Sequence, residues 1–241
     1  MTVLASLPRP VQTAIEAFVT AVRDAFAADL QSVILFGSAA SGELRVTSDV
    51  NMLVLLRRFD AAAIDRVRPA AEKARLQINL RPMWILVEEL PLAAEAFAVK
   101  YGDIAHRHVV LFGTDPFADL HIPRSASIAR LRQVLLNLVL RLRAQWIAHG
   151  GHEERLALVL TDAIGPLRVA AATLLALQGQ PAPSPKEALL RLAGPDAANA
   201  LRDVSAVREG GVLPPGAAPR ALMALLALAG DLRARAEAVS P

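Results

Sequence analysis

Leu35-Phe36-Gly37-Ser38, with Ser48-Asp49-Val50-Asn51-Met52-Leu53-Val54 shortly after it, constrains this chain more than any other stretch. An apolar run that stops at a Gly-Ser pair reads as a buried strand entering a tight turn. The second run reads as a strand with polar residues at its start. Side chains two apart on a strand share a face, so Asp49 and Asn51 look out together beside the turn. Gly-Ser suits a loop in which backbone amides approach an anion, because glycine accepts left-handed backbone and carries no Cβ, and a helix beginning at Ala39 would turn its amides toward that anion.

Strands and helices are mixed around this pair. Val11, Ile15, Phe18, Val19, Val22 and Phe26 lie at helical spacing within Pro8 to Leu30. Ser32 to Phe36 and Val50 to Leu56 are strands, and Ala61 to Ala74 is a second helix. Leu76 to Val87 alternates like a further strand; Pro82 cannot donate to a ladder, so that strand lies at an edge or bends. Val109 to Phe112 is one more strand, before the turn Gly113-Thr114-Asp115-Pro116. After Pro123 strand patterns stop. Helices are expected at Ile128 to Ala148, Glu153 to Gln178, Lys186 to Leu192, Ala197 to Val207 and Arg220 to Ala236. Gly150-Gly151, the proline-rich Gln180 to Pro185, and Gly210-Gly211 with Pro214-Pro215 separate them. The expected architecture is a mixed-sheet α/β domain over residues 1–122 and an all-α helical bundle over 123–241.

Composition narrows the function. A net charge of +3 on 241 residues is small, so the pI near 9.9 reflects a slight excess of Arg and indicates no DNA-binding surface. The chain has no cysteine, which removes disulfides, thiolate metal sites and thiol nucleophiles. No apolar run reaches the roughly 18 residues that span a bilayer, and Met1 to Pro10 lacks the pattern of a signal peptide. A cytoplasmic protein without membrane contact is expected.

The Gly-Ser turn followed by Asp-x-Asn resembles the nucleotidyltransferase fold of the DNA polymerase beta superfamily, in particular bacterial members with an attached helical bundle. Glu88-Glu89-Leu90, Tyr101-Gly102-Asp103-Ile104 and Val110 to Phe117 extend the likeness over most of residues 30 to 120. The resemblance implies that Gly37 and Ser38 hold the phosphates of a nucleotide such as ATP. It implies that Asp49 holds magnesium, with Asn51 as a neutral ligand, and that Asn79 stands where the family has a third acid on a later strand. Asn51 offers an oxygen without charge, and an amide at position 79 has no useful basicity. Losing a general base alone costs roughly 10²–10⁴-fold. Glu88 and Glu89 lie too far along the chain to replace it, while Glu43 is nearer the turn. The expectation is a catalytically degenerate nucleotidyltransferase that binds nucleotide weakly or serves as an interaction module for a protein or RNA. The alternative is an active magnesium-dependent enzyme moving a nucleoside monophosphate from ATP to a hydroxyl of a protein, small molecule or RNA.

The bundle adds weaker signals. Arg132 and Arg143 share one stripe of their helix, set between apolar residues. They are candidate nucleotide-binding residues, as a phosphate clamp, or structural partners for an acid. Asp162, in the apolar helix that follows, is expected to be enclosed and to pair with one of them. Arg143 and His149 have the Arg-x5-His spacing that resembles the ribonuclease motif of HEPN domains, which gives a third alternative, an RNA-binding or RNase bundle. On one helix that step is about 600°, leaving the side chains ~120° apart, so His149 reads better as a helix-end cation. His106 and His108 find no third metal ligand, and Ser38 has no evident His-Asp partners.

Overall fold

The computed structural model describes residues 3–42, 44–45, 48–208 and 212–240, so Glu43 and Gly210-Gly211 lie outside the described residues. The chain divides into two compact units. One holds the chain to Glu95 together with Tyr101–His121; the other holds Ala96–Lys100 and everything from Ile122.

The first unit runs α1 (Val3–Ser6), α2 (Arg9–Phe26), β1 (Leu30–Phe36), β2 (Val50–Leu56), α3 (Ala61–Ile78), β3 (Leu80–Leu86), α4 (Leu90–Ala96), α5 (Ala98–His106) and β4 (His108–Gly113), with α4 and α5 ending and beginning in the second unit. The sheet order is β3-β2-β1-β4. β1 pairs antiparallel with β2 and β4, while β2 and β3 run parallel across the α3 crossover. Val33, Leu35, Met52, Val54 and Leu56 pack against Ile15, Phe18, Val22 and Phe26 of α2 and Ala63 and Val67 of α3. Ile34, Leu53 and Leu55, on the other face, are also buried, which explains why β1 and β2 read as continuous apolar runs rather than alternating ones. Pro82 sits in the edge strand, where its missing N–H costs no ladder bond. Trp84 packs edge-on to Phe18, with ring centroids 6.2 Å apart.

Two local features differ from the sequence expectation. The segment after Ala74 does not open a strand: α3 continues to Ile78, and Asn79 closes it in left-handed conformation at φ 50°. Leu76, Gln77 and Ile78 extend a helix readily, and Asn is among the few residues that accept the left-handed cap. No long helix begins at Ala39. Gly37–Ala39 form a single tight turn, and Ala40 and Ser41 both donate backbone N–H to the Gly37 carbonyl at 3.1 Å.

The second unit contains α6 (Arg124–His149), α7 (Glu153–Leu177), α8 (Pro185–Leu192), α9 (Pro195–Arg208) and α10 (Ala217–Glu237). α7 is long and apolar enough to cross a membrane by length and composition, a property the run-length criterion above missed because two or fewer charges interrupt its apolar window. Here it packs against α6, α8, α9 and α10, the surroundings of a bundle core helix. Leu156, Leu160, Leu167, Leu174 and Leu225 are fully sequestered in that core. Glu153 joins the starts of α7 and α10 by accepting the Gly216 N–H on both carboxylate oxygens, at 2.7 and 2.8 Å.

Candidate functional site

β1 delivers the turn and β2 the polar pair. Gly37 adopts φ 76°, a conformation that disfavours any side chain. Space is not the constraint there, since an added Cβ would come no closer than 3.7 Å to Asn51 Nδ2. That distance also measures how near Asn51 stands to the turn. Phe36 and Asn51 are register partners across β1 and β2, which fixes this proximity. The Ser41 hydroxyl donates back to the Gly37 carbonyl at 3.2 Å and closes the turn. Ser38 is partly exposed.

Parallel pairing brings the start of β3 beside the start of β2. Val50 N–H donates to the Asn79 carbonyl at 3.3 Å, and Asn51 is in register with Arg81. The Asn79 side-chain amide donates to the Asp49 carboxylate in a short hydrogen bond. Arg81 Nε lies 3.7 Å from the same Asp49 oxygen and donates to Asn79 Oδ1 at 3.3 Å. Asn51 Nδ2 donates to the Asp49 backbone carbonyl at 3.4 Å. Asp49, Asn51 and Asn79 therefore meet beside the turn, with Asn79 arriving from a helix end rather than from a strand.

Two arginines were not singled out by sequence. Arg81 is two positions past Asn79 and in register with Asn51, a relation visible only once the β2–β3 pairing is fixed. Arg107 forms a two-point ion pair with Asp103 at 2.9 and 2.6 Å and donates its remaining amine to Ser41 Oγ at 3.2 Å. Its signal was the Asp103–Arg107 spacing of four on a helix.

Glu89 accepts the Leu86 N–H at 2.8 Å and is spent as a local cap. His106 and His108 do not share a face: His106 Nδ1 bonds the Gly102 carbonyl at 2.9 Å, while His108 lies between the Ile104 carbonyl and Asp115, each at 3.1 Å. Arg132 donates to the carbonyls of Ala236, Glu237 and Val239 at 2.9 to 3.1 Å, closing the end of α10. Arg143 is exposed on α6. Asp162 is exposed rather than enclosed, and its partner is Arg141 at 3.5 Å, with 67% of its side chain in solvent. Arg143 and His149 lie on one unbroken helix, and His149 Nδ1 is buried without a hydrogen-bond partner among the described residues.

Magnesium prefers an octahedron of oxygens, usually including one or two carboxylates free to bind it. Among the described residues Asp49 supplies the one carboxylate of this constellation, and it already holds an amide N–H and a guanidinium. Among the described residues no group of three or more His, Cys, Asp or Glu gathers anywhere that could hold a metal. As arranged, the donor set does not fit the ion.

No family model matches the sequence, and no curated protein does. Among solved structures, the chain is similar to spectinomycin adenyltransferase AAD(9) from Enterococcus faecialis, determined with ATP and spectinomycin. The TM-score is 0.62 and the identity 13%, over 93% of this chain and 98% of that one. At that identity the likeness is one of fold, and the fold is a nucleotidyltransferase-like mixed-sheet α/β domain with a C-terminal helical bundle.

Proposed function

We propose that this protein binds a nucleotide by its phosphates at the Gly37-Ser38 turn and has lost the chemistry of nucleotidyl transfer. One observation carries it: Asp49, the single carboxylate of the constellation among the described residues, is engaged within the chain by Asn79 and Arg81. Transfer to a hydroxyl needs metal charge to offset the triphosphate and a base to take the proton. Asn51 and Asn79 are amides and supply neither. The turn itself is intact, with its glycine in left-handed conformation and an anchored arginine behind it. A nucleotide ligand accords with a cytoplasmic protein.

The likeness to an adenyltransferase determined with ATP favours a second reading, active transfer of a nucleoside monophosphate. Two measurements separate them. Melting is followed with and without ATP, and α-labelled ATP is incubated with protein, magnesium and spectinomycin. Binding without transfer is expected; saturation at about a hundred times the Kd should add about 2.7 kcal/mol of stability. Absence of any ATP-dependent shift overturns the proposal. Label transferred to an acceptor supports the active enzyme.

A further inference from the structure

The misfit between this site and magnesium has a positive counterpart in Arg81. Its guanidinium stands against the Asp49 carboxylate, 3.7 Å away, and is 63% exposed, so it is held by one side and open on the other. Asn79 orients it by accepting from Nε at 3.3 Å, so that both contacts fall on the Nε edge of the guanidinium. Asn51 links this group to the turn, through Asp49 on one side and its closeness to Gly37 on the other. We infer that Arg81 takes the place of the divalent cation, so that the phosphate chain of a nucleoside triphosphate is bound here without magnesium. This rests on the nucleotide-binding reading above and adds the agent of recognition.

The charges agree with this. Asp49 and Arg81 cancel, as do Asp103 and Arg107. Among the described residues, each of these two carboxylates already faces an arginine, so neither needs a metal to neutralise it before phosphates approach. A planar guanidinium grips phosphate oxygens two at a time.

Titration calorimetry of the full chain with ATP, in EDTA and then in magnesium, tests it. ATP is expected to bind in EDTA, and no more tightly in magnesium, because the metal neutralises the charge that Arg81 reads. Arg81→Ala should lower the metal-free affinity about tenfold or more, the scale of one charge-assisted contact; the side chain is exposed, so the fold should be kept, and a melting curve checks this. Asp49→Asn distinguishes the two roles by sign. Releasing Arg81 from its carboxylate should strengthen metal-free binding, whereas removing a metal ligand would weaken it. Inorganic tripolyphosphate should compete with ATP, since the phosphate chain is the part recognised, and failure to compete overturns that. Binding that requires magnesium and survives Arg81→Ala overturns this inference while leaving nucleotide binding intact. Absence of ATP binding in both buffers overturns the two together.

Discussion

Asp103 grips Arg107 at two points, 2.9 and 2.6 Å, and thereby aims the third guanidinium nitrogen at Ser41 in the Gly37 turn. Both side chains of the pair are about four-fifths buried, at 21% and 17% exposure. Such a pair holds its geometry better than an exposed one. The turn is thus braced from α5, an element absent from the motif.

Arg107→Ala is expected to weaken ATP binding about tenfold, and Arg107→Lys should not restore it. A lysine keeps the charge but cannot hold a carboxylate at two points while reaching a third group. Calorimetry on both variants checks this, and full recovery in the lysine variant would show that charge alone matters.

Asn51→Asp with Asn79→Asp places two more carboxylates around Asp49. Neighbouring carboxylates repel, and a bound divalent cation relieves that repulsion. Magnesium binding should appear in calorimetry of the double variant. A folded variant that binds none would show that the site lacks more than charge.

Gly113→Ala should cost on the order of 3 kcal/mol. Gly113 has φ 79°, and its added Cβ would stand 2.0 Å from the Gln31 carbonyl oxygen, a backbone atom that cannot turn aside. The buried Ser32 hydroxyl, bonded at 2.6 Å to the Thr114 carbonyl, would be displaced with it. Urea unfolding gives the value directly.

Arg132→Ala should cost about 1–3 kcal/mol, since it strips hydrogen bonds from three carbonyls at the end of α10. Asp162→Ala should stay within about 0.5 kcal/mol, because its ion pair is solvated. Parallel denaturation curves would show the contrast, and equal losses would refute it.

Tyr101 is the chain's one tyrosine, and burial, then the charge of Glu89, holds its phenol above its ordinary value near 10. The unfolded tyrosine loses its proton first, so the unfolded state binds fewer protons as pH rises past about 10 and stability falls over that range. Absorbance titration should show tyrosinate appearing late, and an ordinary titration curve would place the ring in solvent.

The β1–turn–β2 unit was legible because two buried strands leave uninterrupted apolar runs and the glycine between them has one structural use. The helices after β3 were not. Leu90 to His106 is short-period and rich in alanine, and its meaning depends on what it covers. Asp162 misled for a different reason. Arg155, Leu158, Asp162 and Pro166 form one exposed stripe of α7, and Leu158, 67% exposed, made that stripe look apolar. Composition alone could not distinguish a solvated leucine from a core one. Arg81 was hidden because its role depends on pairing with β2, a relation between strands separated by a whole helix.

The clasp between Arg132 and α10 joins residues 104 to 107 positions apart. On the ribosome, at about 5–20 residues per second, α6 therefore waits roughly 5–20 seconds for the helix that completes its packing. Over that interval Leu131, Leu135 and Leu142 have α7 to rest on but not α10. A nascent chain of this protein is thus a natural client for chaperones that shield apolar helices, and slowing translation through α8 and α9 should lengthen that dependence.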